Sequence, residues 1–366
     1  MTFSDNSSVH GAALTEENQA DLLDIGLFLL DDPDSANTVV SPVGVVAAAG
    51  VIAEGSSDEP IIDLKTLRPA WTMWRRWAGP PTRNPKKNPV IATAAQLFVD
   101  PEFSIKPAYH EAIAGWDVSI ETGAIIQENL DEWARINTAN LIQQSGITVT
   151  PETKLVLQNA ITFAAKWQED FRQWDVIDYD FTRADGTITR VKMMCSVRHA
   201  PYTVSDGWRG VRLDYTDGEL AAFVLIPDDD TEQAPLTTLR QAVSQLCRPN
   251  ETMGRVAVEL PRFTVTSEKK LFELFDCIGL ETNTQLKAMT DPPVMLTQVM
   301  QQAIIVVDER GTVVSAVTSG GMETGVSLYT EKPIEIIANR PFYFIVGDVE
   351  TGTPLFLSHI GDPKMA

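Results

Sequence analysis

Hydrophobic residues recur at helical spacing close to the start of the chain. In residues 15–31 (TEENQADLLDIGLFLLD), leucine and isoleucine return every three or four positions, behind a threonine and two acidic residues that suit a capping box. This pattern predicts an amphipathic helix. In residues 38–55, a β-branched run meets Pro42 and continues in small apolar residues to a glycine, which predicts a short strand leading into a buried helix.

The middle and the end of the chain favour strands. Residues 107–115 and 128–144 keep helical spacing, whereas 91–99 and 154–166 are apolar runs typical of buried strands. From about residue 186 onwards, strand patterns follow one another between Gly, Pro and Asp turns, interrupted by one helical pattern, EKKLFELFDCIGL. Helices first and strands later predict an α+β fold with largely antiparallel sheets, because a doubly wound fold would alternate the two throughout.

Residues 56–90 fit neither pattern. They include RPAWTMWRRWAGPPTRNPKKNP, which is rich in proline, tryptophan and basic residues and carries the main concentration of positive charge. We interpret this stretch as an irregular excursion over the surface.

The composition is that of an ordinary globular protein. Of 366 residues, 44% are hydrophobic and 22% are charged, which is enough for a large core and too apolar for disorder. The formal net charge of −21 opposes binding to nucleic acid and to membranes of anionic lipid, and neither partner is expected. The N-terminus lacks a basic segment followed by an apolar one, which predicts a cytoplasmic location, or an extracellular one if a leader has been removed.

The familiar catalytic motifs are missing from the sequence. It contains no GxSxG, P-loop, GxGxxG or HExxH pattern, and its four histidines stand in unrelated contexts. The three cysteines, Cys195, Cys247 and Cys277, are far apart and form no CxxC pair, which favours neither a disulfide framework nor a zinc site. We therefore expect no enzyme activity and no metal or organic cofactor.

One segment near the C-terminus has an unusual composition. Residues 309–333 follow the hydrophobic strand AIIVVDE and begin with a run of small or β-branched, uncharged side chains, GTVVSAVTSGG. Such a run suits a strand buried in a sheet, while its glycines and hydroxyl groups also permit an exposed loop. The residues alone leave both interpretations open.

Motifs spread over nearly the whole chain resemble those of the serpin family. They are NTVVSPVGVVAAAGVIAEG, KLVLQNAITFAAKWQEDF, VKMMCSVRHAPYTVSD, LAAFVLIPDD, VAVELPRFTVTSEKKLFELFDCIGL, AIIVVDERGTVVSAVTS and NRPFYFIVGDVETGTPLFLSHIGDP. The last two are the most specific, because they resemble the family's hinge and its C-terminal block.

The resemblance implies a single serpin domain over residues 1–366. Its expected fold is α+β, with three mainly antiparallel β-sheets, about eight or nine helices and an exposed reactive-centre loop at about 312–333. The implied function is that of a metastable, monomeric suicide inhibitor whose partner is a serine protease. The protease cleaves the loop and forms a covalent acyl-enzyme, and the freed loop inserts into the main sheet.

The resemblance also assigns residues to the opening of the sheet. The hinge needs small side chains that can enter the sheet, and it comprises Glu309, Gly311, Thr312, Val314, Ser315 and Ala316. Four further residues match the shutter beneath the sheet and the breach at its top, namely Ser41, Asn159, Trp167 and Gln301. Because Gly44 and Gln301 replace the serine and histidine of many relatives, the hydrogen-bonded shutter must be rebuilt or weaker here.

The position of the reactive bond follows from family spacing. Counting from Glu309 places it at Gly325–Val326, although this loop is longer than typical. The alternatives are Met322, Leu328 and Tyr329. None of these residues is basic, which favours an elastase-, chymotrypsin- or subtilisin-like target.

An alternative function is that of a non-inhibitory serpin-fold binding, carrier or chaperone protein. Charged residues or proline between 311 and 319 would favour it, and the sequence has none there.

Overall fold

The helices lie mainly in the first part of the chain. The computed structural model describes residues 15–30, 36–56, 64–86, 88–228, 236–247, 253–280, 285–312 and 332–364. Within them the α-helices are α1 (Glu16–Leu30), α2 (Pro42–Gly55), α3 (Leu64–Met73), α4 (Pro107–Ile113), α5 (Gln127–Asn137), α6 (Leu236–Leu246) and α7 (Phe272–Cys277). Two 3₁₀ helices span Trp74–Trp77 and Gln173–Asp175. None of the helices in these ranges is both long and apolar enough to cross a bilayer.

Strands make up most of the rest of the described chain. They are β1 (Asn37–Val40), β2 (Val90–Val99), β3 (Ser104–Ile105), β4 (Val118–Thr122), β5 (Leu155–Lys166), β6 (Val176–Thr182), β7 (Ile188–Ser205), β8 (Trp208–Asp214), β9 (Leu220–Pro227), β10 (Met253–Pro261), β11 (Phe263–Lys270), β12 (Gln285–Leu286), β13 (Thr290–Asp291), β14 (Val294–Met295), β15 (Gln298–Asp308), β16 (Gly311–Thr312), β17 (Ile334–Ile337), β18 (Phe342–Asp348) and β19 (Pro354–Ile360).

Three large sheets organise these strands. The main sheet has the order β11-β15-β16-β5-β2-β4. The second sheet runs β1-β19-β18-β9-β8 and ends on the last residues of β7, whose earlier residues form the third sheet with β6, β10 and β17. Most pairs are antiparallel, and the parallel ones join β5 to β15, β2 to β4 and β10 to β17. The predicted α+β class is confirmed.

Helix α2 fills the space between the main and second sheets. Ser41 caps its N-terminus, and Pro42 occupies its first turn, where a missing N–H costs nothing. The helix is apolar almost all round, and nearly every residue is buried. A helix of this composition requires cover on all sides, which it obtains from β5, β19 and its neighbouring helices.

The described part of segment 56–90 differs from its sequence interpretation. Residues 64–77 are helical, and Trp71, Trp74 and Trp77 are only 3%, 2% and 7% exposed. The three tryptophans recur at every third position, so they share one face of the helix and turn towards the core. The prediction of an irregular surface excursion was wrong for these residues.

Basic side chains of the same segment pair with acidic ones. Arg75 Nε lies 2.9 Å from a carboxylate oxygen of Asp117, and an Arg76 terminal nitrogen lies 3.3 Å from one of Glu219. These arginines therefore attach the 3₁₀ helix to the residue that precedes β4 and to the β8–β9 turn.

Two predicted helices are shorter than their hydrophobic pattern. Helix α5 ends at Asn137 because Ala139 and Asn140 adopt left-handed backbone angles, with φ of 52° and 57°. Helix α7 begins only at Phe272 because residues 268–270 extend β11 along β15. In both cases a local conformation or a strand partner outweighs the helical spacing.

Candidate functional site

The short strand β16 enters one end of the main sheet. Thr312 pairs with Ala165 of β5 on one side and with Val307 of β15 on the other, antiparallel to both. Beyond this point β5 and β15 pair directly and in parallel, 156–162 against 298–304. The sheet is therefore split at one end and closed along the rest of these strands.

Glycine is required at position 311 by close approach of the backbone. A Cβ atom there would lie 2.0 Å from the carbonyl oxygen of Ala165 and 2.8 Å from the Cα of Lys166. Any side chain would collide with main-chain atoms that cannot swing aside. Gly311 thus lets the chain turn in between β5 and β15.

The side chain of Thr312 is fully buried and bonded to Tyr215. The two hydroxyl oxygens lie 2.7 Å apart. The Tyr215 ring stacks on Trp167, with centroids 4.7 Å apart and planes inclined by 7°. Burial raises the pKa of Tyr215 far above its usual range, so the phenol stays protonated and can donate to Thr312.

The turn between β15 and β16 is bound to the chain that follows β5. The indole N–H of Trp167 donates to the carbonyl of Asp308 at 2.9 Å, and its backbone N–H donates to that of Arg310 at 2.9 Å. The backbone N–H of Phe171 donates to the carbonyl of Glu309 at 2.8 Å. These bonds fix the direction in which the chain leaves β15.

Glu309 is only 5% exposed and forms an ion pair with Arg262. Arg262 stands in the tight connection between β10 and β11, so the pair links that connection to the turn after β15. A buried carboxylate needs such a partner, because an uncompensated charge in this place would cost several kcal/mol.

Beneath the main sheet, Ser41, Asn159 and Gln301 form one hydrogen-bonded cluster. The Gln301 amide accepts from the Ser41 backbone N–H at 2.8 Å and donates to the Ser41 carbonyl at 2.9 Å. It also donates to the Asn159 side-chain oxygen at 3.2 Å, across the β5–β15 pairing. One glutamine thus joins both strands to the start of α2.

Gly44 makes room for this glutamine. A Cβ at position 44 would lie 2.7 Å from Asn159 Oδ1 and 2.8 Å from Gln301 Nε2. The space left by Gly44 and the position of the Gln301 side chain therefore fit one another. The described hydrogen bonds of Gln301 to Ser41 and Asn159 are made in this space.

The segment 144–148 bridges β5 and β15 from outside. Ser145 Oγ donates to Gln158 of β5 at 2.5 Å, and Gln302 of β15 donates to the Gln144 carbonyl at 2.8 Å. The Gln298 side chain both accepts from the backbone N–H of Thr148 and donates to its carbonyl, at 3.2 and 2.7 Å. Strand β16, Gly311–Thr312, forms a wedge between β5 and β15, and the bridging segment is bonded to both of the strands that this wedge separates.

The structure distributes the predicted site residues over two places. Ser41, Asn159 and Gln301 lie together, whereas Trp167 lies at the split end with the described hinge residues Glu309, Gly311 and Thr312. Other predicted residues lie outside the described residues, namely Val314, Ser315, Ala316, Met322, Gly325, Val326, Leu328 and Tyr329.

Sequence reasoning missed Tyr215 and Arg262. Arg262 stands inside a recognised motif, VELPRF, but its ion pair depends on the turn that brings it to Glu309. Tyr215 lies 97 residues from Thr312, and no local pattern marks it.

The described residues define an α+β class of protein with three large sheets, in which the main sheet contains a short strand, β16, between β5 and β15. Within that class, the family model described as "Serpin (serine protease inhibitor)" matches residues 27–363. The chain belongs to the serpin family, whose members are mostly protease inhibitors rather than catalysts.

Individual relatives have low sequence identity to this chain but match it over most of its length. Serpin-Z4 of Arabidopsis thaliana is 25% identical over 309 residues, which cover 75% of this chain and 77% of that protein. Neuroserpin of Gallus gallus is 25% identical over 301 residues, covering 75% and 72%.

Solved structures show the same fold. The thermophilic serpin Tengpin in its native state matches with a TM-score of 0.80 at 21% identity, over 97% of this chain and 96% of that one. Human thyroxine-binding globulin, solved in complex with thyroxine, matches with a TM-score of 0.77 at 17% identity, over 95% of this chain and 98% of that one.

Proposed function

We propose that this protein inhibits serine proteases as a suicide substrate. The observation that carries the proposal is the position of Thr312, which lies between β5 and β15 while those strands remain paired beyond it. The hinge residues Gly311 and Thr312 already follow the path that an inserted loop would take. Continued insertion requires that β5 and β15 separate further and that the bonds of segment 144–148 to these strands break.

The pairing geometry supplies a driving force for this step. Strands β5 and β15 are parallel to one another, and β16 is antiparallel to both. A full inserted strand would replace one parallel interface by two antiparallel ones, which are slightly more stable per residue and add a whole ladder of hydrogen bonds. Cleavage of the loop releases the strand, and its insertion carries away the protease acylated on it.

We place the bait in the reactive-centre loop at about 312–333 and assign the reactive bond to Gly325–Val326, with Met322, Leu328 and Tyr329 as alternatives. A small or apolar residue before the cleaved bond fits elastase-, chymotrypsin- or subtilisin-like enzymes, because a trypsin-like pocket carries a carboxylate that requires a basic side chain.

The test is incubation with one protease of each of these four specificities, followed by denaturing gels and mass spectrometry of the products. We expect a covalent complex that survives denaturation with at least one of the three favoured enzymes, and cleavage at the assigned bond. The same protease with its serine blocked by a sulfonyl fluoride is the matched control and forms no complex.

The opposite result would support the alternative, a non-inhibitory binding or carrier protein, of which thyroxine-binding globulin is an example among the structural neighbours. Cleavage in the loop by every enzyme, with no covalent complex and no gain in thermal stability, would reject the inhibitor mechanism.

A further inference from the structure

The end of α5 covers the point at which β5 and β15 begin to pair directly. Of the residue pairs that join these two strands, Thr162 and Ile304 lie nearest to the wedge. Ile304 is buried and belongs to one hydrophobic cluster with Ala134 of α5 and with Ile142, which follows the helix. Because further separation of the strands would start at this pair, the cluster lies where the wedge would next advance.

A tight turn, residues 138–141, connects the two parts of this cluster and is named the α5 turn. The hydroxyl of Thr138, which is fully buried, donates to the carbonyl of Ala134 at 2.8 Å and accepts from the backbone N–H of Ile142 at 3.0 Å. These bonds fix Ile142 relative to the helix. A movement of the α5 turn away from the sheet would therefore move both residues that cover Ile304.

Arg83 binds the α5 turn from outside. Its Nε donates to the carbonyl of Ala139 at 2.9 Å, and a terminal nitrogen of the same guanidinium donates to the carbonyl of Asn140. The side chain of Gln143 also donates to the Asn140 carbonyl, at 2.6 Å. The planar fork of a guanidinium suits two neighbouring acceptors, and a positive charge is favoured at the C-terminal end of a helix. Arg83 therefore holds the α5 turn at two carbonyl groups at once.

Arg83 stands on an arm, residues 79–86, whose base is bonded to β2. The backbone N–H of Gly79 donates to the carbonyl of Ile91 at 3.2 Å, and Ala78 forms a β-bridge with the same residue. The sequence of the arm, GPPTRNPK, contains three prolines, whose fixed φ limits its conformational freedom. The arm thus connects β2 to the α5 turn through contacts that are separate from the hydrophobic cluster.

We infer that Arg83 is a positioning residue that holds the end of α5 over the point at which β5 and β15 part. The wedge can advance only if the cluster around Ile304 opens, so the bonds of Arg83 to the α5 turn slow that advance. This kinetic consequence rests on the proposed function, because insertion of the loop is what would move the wedge forward. The positioning itself is a property of the native protein before any protease binds.

Hydrogen exchange of the native full-length protein tests the positioning. Arg83→Met keeps an unbranched side chain at this exposed position and removes every donor, so the backbone amides of residues 138–145 are expected to exchange about threefold faster or more. Lys86→Met is the matched control, because it removes the same charge from an exposed residue of the same arm that makes none of the described bonds to the α5 turn. Unchanged exchange in Arg83→Met, or equal acceleration in Lys86→Met, would overturn the proposal.

The rate of trapping tests the kinetic consequence. At saturating concentrations of a protease that forms a covalent complex with the parent, Arg83→Met is expected to trap the enzyme about threefold faster, and Lys86→Met at the parent's rate. A residue with only a structural role would lower stability and leave this rate unchanged, so equal rates in Arg83→Met and the parent would overturn the kinetic consequence. If the parent traps no protease, the proposed function fails, while hydrogen exchange still decides whether Arg83 holds the end of α5.

Discussion

The hydroxyl groups of Tyr215 and Thr312 meet at 2.7 Å in the interior, although 97 residues separate them in the chain. Thr312 is the last residue of the described range 285–312 and stands at the start of the proposed reactive-centre loop. Tyr215 belongs to the turn that follows β8. Because both side chains are fully buried, neither hydroxyl could bond to water instead. The contact therefore ties the start of the loop to the second sheet.

This contact predicts an energetic coupling between the two residues. Tyr215→Phe keeps the stack on Trp167 but leaves the Thr312 hydroxyl without its partner, and we expect it to lower the free energy of unfolding by about 1 kcal/mol. A double-mutant cycle with Thr312→Val, followed by urea denaturation, measures the coupling. Strictly additive effects of the two changes would show that the bond contributes nothing.

On the proposed mechanism, Thr312→Arg is expected to be cleaved by the target protease without trapping it. The position is fully buried in the wedge, and a guanidinium without a partner there would cost several kcal/mol, so insertion would stall while the loop remains cleavable. The ratio of covalent complex to cleaved protein on denaturing gels measures this change. Thr312→Ser, which keeps the hydroxyl and remains small, is the control; unchanged complex formation by the arginine variant contradicts loop insertion.

The loss of stability caused by replacing Gly44 is expected to depend on the side chain at position 301. Gly44→Ala places a methyl group 2.7 Å from Asn159 Oδ1 and 2.8 Å from Gln301 Nε2, which should destabilise the protein by about 1–3 kcal/mol. In a Gln301→Ala background one of these clashes is gone, so the same change should cost less. Guanidinium denaturation of the four proteins tests this, and an equal cost in both backgrounds would show that the two side chains do not compete for space.

Burial lowers the pKa of His359 below its ordinary value of 6.5. The unfolded chain therefore binds this proton more tightly than the folded protein does. The stability that the neutral His359 side chain contributes is fully present above about pH 6.5 and is lost as the pH falls below that value. We expect the decrease in melting temperature from pH 7.5 to 5.5 to be smaller in His359→Gln than in the parent, with His110→Gln on the exposed face of α4 as the control. The same decrease in all three proteins would reject this role.

The sequence predicted the elements whose pattern is uniform and long. The largely apolar run that forms β5 is one such case, because it is long enough for a strand buried on both faces, and every residue from Leu155 to Ala165 is buried. The prediction for segment 56–90 was wrong for residues 64–77, because its proline and arginine content concealed the three-residue spacing of Trp71, Trp74 and Trp77.

The candidate site was predictable only where a motif carries it. Asn159 and Gln301 were identified in advance, but their direct bond depends on the register that places them opposite each other in β5 and β15. The role of Tyr215 depends on a contact between segments that are far apart in the chain, so no local sequence pattern predicts it. The space that Gly44 leaves for Gln301 is likewise a property of three-dimensional packing.

Because of the bridging segment 144–148, the opening of the main sheet and the choice of protease depend on different residues under the proposed mechanism. Its bonds to Gln158, Gln298 and Gln302 hold β5 and β15 together, and these glutamines stand outside the reactive-centre loop proposed at about 312–333. On the proposed mechanism, substitutions at these glutamines change how fast the loop inserts, whereas the loop itself determines which protease is bound. Two proteins with identical bait sequences could in this way differ in how fast they trap the same enzyme.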